Sequence, residues 1–107
     1  MKLISRFTST EIAQIFRTAR RALRHPGLDI LCTPAAQKSA RILVVTPRKA
    51  GNSPQRNRVR RRLKSIFYEH GFCDFGYDCV VIIKKPGIDL SFQELTTLLT
   101  DALDRMK

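Results

Sequence analysis

The chain has 107 residues, enough for one compact domain and too few for two with separate cores, so we expect a single domain over residues 1–107. This length excludes a multidomain enzyme. Twenty Lys and Arg residues against nine Asp and Glu residues give a formal net charge of +11, which indicates a polyanionic partner. Because 43% of the residues are hydrophobic, a disordered basic tail is excluded as well.

The first predicted element is an amphipathic helix with a basic outer face. Thr8 and Glu11 form a capping-box pattern, flanked by Phe7 and Ile12 as a hydrophobic staple, so the helix is expected to begin near Thr8. It is expected to end at the helix-breaking sequence of residues 25–27. Apolar residues recur at helical spacing at Ile12, Ile15, Phe16, Ala19 and Leu23, and the other face carries Arg17, Arg20, Arg21 and Arg24.

Two short β-like runs follow, at residues 28–33 and 41–46, and are expected to pair as neighbouring antiparallel strands. A polar loop over residues 47–54 leads into a second helix, expected over residues 54–70. Either Asn52 or Ser53 can cap this helix, and Pro54 suits its first turn.

The second helix is predicted to be apolar on one side and cationic on the other. Its apolar stripe consists of Val59, Leu63, Ile66 and Phe67. The opposite side carries Asn57, Arg58, Arg61, Arg62 and Lys64, with Arg56 and Arg60 flanking the stripe. We therefore expect one side to be buried and the other to face solvent.

A nearly continuous apolar run at residues 77–83 predicts a strand covered on both faces, in the middle of the sheet. A final helix opens with a second capping box, from Ser91 to Glu94. The predicted fold is a two-layer α+β sandwich in the order α-β-β-α-β-α.

The positive charge is concentrated in the first two thirds of the chain. Residues 1–68 carry a formal charge of +14 and residues 69–107 a charge of −3, with no acidic residue between Asp29 and Glu69. Eight bases fall in residues 48–64: Arg48, Lys49, Arg56, Arg58, Arg60, Arg61, Arg62 and Lys64. A solvated face usually mixes both signs, and arginine forks match phosphate oxygens, so this cluster predicts phosphate binding.

Three further features bear on this interpretation. Backbone amides of the loop at Gly51 and Asn52, at a helix N-terminus, could hold a phosphate. Asn57 could contact RNA or serve only as a residue of the first helical turns. Phe16 could stack on an unpaired base or belong to the core.

The sequence offers little material for catalysis or metal binding. His25 and His70 are interpreted as structural residues, and the trio of His70, Cys73 and Cys79 lacks a fourth zinc ligand. The three cysteines are an odd, sparse set of small core residues, which fits a reducing compartment. Neither a secretory signal nor a membrane span is evident, so we expect a cytoplasmic protein with no membrane partner.

Residues 41–64, RILVVTPRKAGNSPQRNRVRRRLK, resemble the signature of the bacterial ribonuclease P protein component family. In that signature a strand leads to two basic residues, Gly-Asn, a few variable positions, and then Arg-Asn-Arg with further bases. The order and spacing of the other elements agree, including the Tyr77-Asp78 pair and the Phe92-x-x-Leu95 helix.

The resemblance implies a subunit of the ribonucleoprotein that removes 5′ leaders from precursor tRNA, with the hydrolytic centre and its Mg²⁺ in the RNA subunit. One protein per catalytic RNA is expected, and no cofactor of its own. The implied RNA contacts are Arg48, Lys49, Gly51, Asn52, Arg56, Asn57, Arg58, Arg60, Arg61, Arg62 and Lys64. A cleft between the first helix and the sheet would hold the leader, with Ile12, Phe16 and Arg17 as leader-binding residues.

The same resemblance implies the ribosomal protein S5 domain 2-like fold with a left-handed βαβ crossover, against the usual right-handed rule. This chain departs from the family at Ile12 and at Leu31 or Cys32, where aromatic residues are common. The alternatives are a ribosomal-protein-like binder of structured RNA, a major-groove DNA reader and a self-sufficient nuclease.

Overall fold

A computed structural model describes residues 9–35 and 38–106. Three helices and a four-stranded sheet make up these ranges. In chain order they are α1 (Ser9–Thr18), β1 (Arg20–Arg24), β2 (Leu28–Pro34), β3 (Ile42–Val45), α2 (Ser53–Glu69), β4 (Tyr77–Ile83) and α3 (Phe92–Asp104). The expected cap at Thr8 and the staple residue Phe7 lie outside the described residues. The capping box expected at the start of α3 is confirmed, with Ser91 and Glu94 bonded reciprocally.

The strands are arranged in the order β1-β2-β4-β3. β2 pairs antiparallel with both β1 and β4, whereas β3 pairs parallel with β4. The central position predicted for residues 77–83 is confirmed. The prediction that residues 28–33 and 41–46 are neighbours is wrong, because β4 lies between them, where Val80 and Val81 are fully buried.

The prediction of one long first helix is also wrong beyond Thr18. Residues 20–24 form β1 instead, with Ala22 and Leu23 buried. His25 and Leu28 exchange two backbone hydrogen bonds of 3.0 and 3.2 Å, so the Pro26-Gly27 pair between them turns a β-hairpin. The sheet therefore has one strand more than the sequence suggested.

The hairpin turn lies against the short 3₁₀ turn Lys85–Gly87. The Lys84 amide donates a 2.9 Å hydrogen bond to the Gly27 carbonyl, and a Cβ atom on Gly87 would collide with that carbonyl. Glycine at both positions permits this backbone contact, which joins the β1–β2 turn to the end of β4.

The hydrophobic core lies between one sheet face and the helices α2 and α3. It includes Leu28, Ile30 and Cys32 of β2, and Cys79, Val81 and Ile83 of β4. α1 lies on the opposite face, where Ile15 and Val80 are buried outside that cluster. The α+β class is confirmed, and the sheet with α2 and α3 forms the two predicted layers, while α1 crosses the other face. Because β3 and β4 are parallel, the connection between them through α2 is a βαβ crossover, which is either right- or left-handed. That hand stays a prediction.

Cys32 and Cys79 stand opposite each other on β2 and β4, with their sulfur atoms 3.7 Å apart. The hydrogen bond with Cys32, together with burial, raises the pKa of Cys79 well above its ordinary value. A buried thiol of this kind stays neutral, which fits the small core residues expected at both positions. Cys73 is half-buried and packs against the core edge.

Within the ranges described, no helix is long and apolar enough to cross a bilayer.

Candidate nucleic-acid interface

The start of α2 is fixed by two reciprocal hydrogen bonds between Asn52 and Gln55. Each side chain accepts a bond of 2.9 Å from the backbone amide of the other residue. Of the two expected caps, the structure selects Asn52, and Pro54 occupies the first turn as predicted. The positive end of the helix dipole is thus held in place beside the first arginines of α2.

Gly51 contributes to this geometry through its lack of a side chain. A Cβ atom there would lie 2.8 Å from Ile88 Cγ1 and 2.7 Å from the Gln55 side-chain oxygen. A larger residue would therefore push the loop away from Ile88 and disturb the capping box. The structure gives Gly51 a packing role that positions the helix start.

The predicted division of α2 into an apolar and a cationic side is confirmed. Val59, Leu63, Ile66 and Phe67 are at most 1% exposed. Because these residues fix the rotation of the helix, Asn57, Arg58 and Arg61 face solvent. Arg56 and Arg60 are half-buried at the sides of the stripe, as expected.

Hydrogen bonds to neutral groups orient two of the arginines. Arg60 donates to the Asn57 side-chain oxygen at 3.3 Å and to the Thr46 hydroxyl. Arg56 donates to the Ser53 hydroxyl at 3.0 Å. In the described ranges no arginine of α2 forms an ion pair with a carboxylate. The guanidinium groups are oriented while their positive charges remain available to an anion.

These residues surround a depression of about 560 Å³ at the start of α2. Its lining consists of Ser53, Pro54, Asn57, Arg58, Arg60 and Arg61. Three guanidinium groups, a hydroxyl and an amide in one concave site form a donor set that suits phosphate and ribose oxygens. We call this the α2 basic surface.

The remaining predicted contacts surround the depression or lie away from it. Arg48 and Lys49 are exposed on the 3₁₀ turn Arg48–Ala50, just before the capping box, and Lys64 is half-buried further along α2. Arg62 is also half-buried and donates a 3.0 Å hydrogen bond to the Leu90 carbonyl. The expectation that Arg62 lies on the solvent side is wrong, because its long side chain reaches back to the segment before α3.

A second candidate surface is the face of the sheet opposite α2 and α3. Alternation along the strands directs one set of side chains to this face, and register places them in rows. One row consists of Leu31, Val80 and Leu43. The next row consists of Asp29, Ile82 and Val45. Leu31, Leu43, Ile82 and Val45 are only half-buried, so they form an apolar floor that is partly open to solvent.

α1 crosses this face at one end. Arg41 donates hydrogen bonds of 2.7 and 3.2 Å to the Glu11 carboxylate, and the Thr18 hydroxyl lies 3.3 Å from that of Thr33. From Glu11 to Thr18 the helix rises about 10 Å. That length matches the two strand spacings, about 9.5 Å, between β3 and β2. The helix therefore covers the Thr33 end of the sheet. Val80, in the middle of the next row, is buried as well, whereas Leu31, Leu43, Ile82 and Val45 stay partly open to solvent.

The side of α1 that borders these partly open rows carries Ile12 and Phe16. Glu11 and Thr18 lie on one flank of the buried Ile15, so helical spacing puts Ile12 and Phe16 on the other flank. Phe16 is 47% exposed, which answers the question left open by the sequence: it is not a core residue. Arg17 is exposed on the outer side of α1, away from the sheet. We call the apolar rows together with this flank of α1 the cleft.

Arg41 anchors α1 over the sheet although it is only 3% exposed. Its backbone amide donates to the Asp78 carboxylate at 2.7 Å, and its guanidinium lies 3.9 Å from the second Asp78 oxygen. The hydrogen bond with Glu11 raises the pKa of Arg41, with further help from the charges of Glu11 and Asp78. A permanent buried cation thus fixes the position of the helix that borders the cleft.

Sequence reasoning did not find the floor of the cleft. Leu31, Leu43, Val45 and Ile82 belong to runs that look uniformly buried, and which face is left open depends on where α1 lies. The available signal was the placement of Asp29 within β2, because a charged residue in an alternating strand marks a face open to water.

Neither histidine is arranged for catalysis. His25 accepts a hydrogen bond from the Gly27 amide at 2.9 Å, and His70 stacks on Phe72. Among residues 9–35 and 38–106, no three His, Cys, Asp or Glu residues are grouped so that they could hold a metal ion. The guanidinium donors of the α2 basic surface suit anions, and the apolar side chains of the cleft suit the faces of bases.

Comparison with known proteins gives a consistent result. The family model described as Ribonuclease P matches residues 6–107. The ribonuclease P protein component of Erythrobacter litoralis is 32% identical over 86% of this chain and 79% of its own length, and that of Geotalea uraniireducens is 33% identical over 85% and 80%.

Solved structures share the fold. The RNase P protein of Staphylococcus aureus superposes with a TM-score of 0.79 at 18% identity, covering 99% of this chain and 97% of the other. The RNase P protein of Thermotoga maritima gives a TM-score of 0.79 at 22% identity and covers 99% of each chain. With the family model spanning nearly the whole sequence, the chain belongs to the ribonuclease P protein family, whose members are protein components of the ribonuclease P holoenzyme.

Proposed function

We propose that this single-domain chain is a non-catalytic subunit that binds the catalytic RNA through the α2 basic surface and the 5′ leader of precursor tRNA in the cleft. The observation that carries the first part is the group of arginines around the depression at the start of α2. Planar guanidinium groups bind phosphate oxygens in pairs of hydrogen bonds. Here Asn57 and Thr46 orient Arg60 in advance, and Ser53 orients the adjacent Arg56.

The cleft supports the second part of the proposal. Single-stranded RNA is recognised by stacking of its bases on exposed aromatic and apolar side chains. Phe16 and Ile12 border a floor of half-buried aliphatic residues, which offers apolar contact to the face of a base and no hydrogen-bond donor to a phosphate. A mature tRNA has no leader to place there, so the cleft would distinguish the precursor from the product.

Catalysis is assigned to the RNA subunit and its Mg²⁺, with one protein bound per catalytic RNA. The protein's part is to reduce electrostatic repulsion between two RNA molecules and to hold the leader. The proposal includes a cytoplasmic location, supported by the three free cysteines, since disulfides are rare in reducing compartments.

The test is reconstitution of precursor cleavage with the cognate catalytic RNA at low Mg²⁺ concentration, where the protein is expected to restore activity. Arg58→Ala and Arg61→Ala should each weaken binding to the catalytic RNA and reduce the log–log salt slope by roughly 0.7–0.9 per lost phosphate contact. Titration of RNA with protein should saturate at one to one.

Arg20→Gln provides the matched control, because it removes one exposed charge from β1, which lies at the far edge of the sheet from β3. Arg20→Gln should leave the log–log salt slope of binding to the catalytic RNA unchanged. Lack of stimulation by the unaltered protein would favour a different structured-RNA partner, and cleavage by the protein alone would favour a nuclease.

A further inference from the structure

β1 carries three exposed arginines at the edge of the sheet: Arg20, Arg21 and Arg24. They belong neither to the α2 basic surface nor to the helix in which the sequence pattern had placed them. Within the described residues none of them forms an ion pair. Charges on an edge strand prevent two sheets from aggregating, and this alone can account for their presence. Whether these arginines have a further role depends on the direction in which each side chain points.

A β-bulge gives two of these arginines a common direction. The β1–β2 register pairs Arg21 with Leu31 and Arg24 with Asp29, and it shifts by one residue between Arg21 and Leu23. In a regular strand, residues 21 and 24 would point to opposite faces, because side chains alternate. The inserted residue cancels that alternation, so Arg21 and Arg24 both lie on the face that holds Leu31 and Asp29.

That face is the open one. Leu28, Ile30 and Cys32 point into the core, so Leu31 and Asp29 point away from it. Arg21 therefore ends the row Leu31, Val80, Leu43, and Arg24 ends the row Asp29, Ile82, Val45. Arg20, which pairs with Cys32, lies on the other face.

The local charges leave this edge positive. Asp29 is the carboxylate next to Arg24 in the register, and Lys84 already pairs with it at 3.0 Å. The two arginines are separated by two residues of β2, about 7 Å along the strand. Two uncompensated guanidinium groups at this spacing can bind neighbouring phosphates of one extended strand while its bases lie on the apolar floor.

We propose that Arg21 and Arg24 form a phosphate-binding rim of the cleft and hold the backbone of single-stranded RNA independently of its sequence. The inference rests on the proposed leader-binding role of the cleft. It adds a division of labour: the floor and Phe16 contact bases, and the bulged edge strand contacts phosphates. The bulge has a function because it turns the second arginine toward the RNA.

The experiment measures the affinity of the assembled holoenzyme for a precursor tRNA with a leader and for the mature tRNA, over a range of salt concentrations. The double variant R21Q/R24Q is expected to bind the precursor about tenfold more weakly and to lose roughly 1.4 units of log–log salt slope, at about 0.7 per contact on single-stranded RNA. Its affinity for mature tRNA and for the catalytic RNA is expected to remain unchanged.

Arg20→Gln is the matched control, since it removes the same charge from the same strand but on the other face. A second double variant, R21K/R24K, keeps the charge and should retain most of the salt slope; it also serves if R21Q/R24Q proves unstable in thermal unfolding. If R21Q/R24Q lost equal affinity for precursor and mature tRNA, or if Arg20→Gln lost as much affinity for the precursor, Arg21 and Arg24 would not form a phosphate-binding rim. If the unaltered holoenzyme does not prefer the precursor, the leader-binding role itself fails, whereas a normal preference that survives in R21Q/R24Q refutes only the rim.

Discussion

Phe16 is 47% exposed beside a floor of aliphatic residues, so a substitution at this position can test whether the side chain contacts the leader. The change Phe16→Ala removes a stacking surface from a side chain that is about half exposed. We expect the holoenzyme to lose about 1–3 kcal/mol of affinity for a precursor with a leader, the usual contribution of one stacked base. The loss for mature tRNA should be much smaller, as measured by equilibrium binding of both substrates.

Phe92→Ala is the control for this prediction. Phe92 is 43% exposed and starts α3, on the other side of the sheet. Because roughly half of each side chain is covered, both substitutions should lower the free energy of unfolding by a similar amount, about 1 kcal/mol. An equal loss of affinity for both tRNAs in the Phe16 variant would show that this residue does not contact the leader.

Individual residues also show where sequence reasoning succeeds. Val59 and Phe67 could be assigned to the core because helical spacing alone sets their direction. Arg62 could not be assigned in the same way, because its long side chain is able to reach a carbonyl on a segment 28 residues away. Helical periodicity specifies where the Cβ points, and the position of a guanidinium group depends on partners that the fold supplies.

α1 is held over the sheet by polar contacts to Arg41 and Thr33, with Ile15 as its buried apolar residue. We expect Glu11→Gln to lower the free energy of unfolding by about 1–3 kcal/mol, because the Arg41 guanidinium, which is 4% exposed, would lose its nearer carboxylate and keep the more distant Asp78 oxygen at 3.9 Å. Affinity for the leader should fall as well, since Phe16 and Ile12 depend on α1 for their positions. Urea unfolding and precursor binding measure the two effects.

Glu69→Gln is the matched control, because Glu69 is exposed and its carboxylate contacts only the neighbouring Ser65 hydroxyl among the hydrogen bonds of the described residues. It changes the net charge by the same amount and should leave both measurements nearly unaltered. If Glu11→Gln proved as stable as the unaltered protein, the ion pair with Arg41 would not be what holds α1 in place.

At the scale of elements, local signals were sufficient for α2 and α3 and insufficient for β1. Capping boxes and apolar stripes are encoded within a few residues, so both ends of α2 and the start of α3 were predicted to within about one residue. Residues 20–24 continue the helical spacing of α1, through Ala19 and Leu23. They form a strand because pairing with β2 buries Ala22 and Leu23, and that gain depends on a partner strand beyond the turn.

The fold of the whole molecule places the two proposed nucleic-acid surfaces on different sides of one sheet. The α2 basic surface could be predicted from the sequence, because eight bases fall in one helix and the loop before it. The cleft could not be outlined, since its floor depends on the strand order, on the bulge in β1 and on the path of α1 across the sheet. These three features come from contacts between distant segments, which leave only weak traces in the local pattern.

Position should matter more than net charge for binding the catalytic RNA. Asp74 is exposed beyond the C-terminal end of α2, and the helix from Arg58 to Glu69 alone spans about 16 Å. The molecule measures 33 × 31 × 27 Å, whereas charges are screened over about 8 Å at 0.15 M salt and about 30 Å at 0.01 M. We therefore expect Asp74→Asn to leave the affinity unchanged at 0.15 M and to strengthen it slightly at 0.01 M.

Arg61→Gln changes the net charge by one unit in the opposite sense, but within the α2 basic surface. It should weaken binding about tenfold at 0.15 M salt, since a direct phosphate contact is lost and screening does not remove such a contact. Filter-binding titrations of both variants at the two salt concentrations test the pair. Comparable shifts for both variants at 0.15 M would mean that the RNA responds to the overall field of the protein, and the depression at the start of α2 would lose its assigned role.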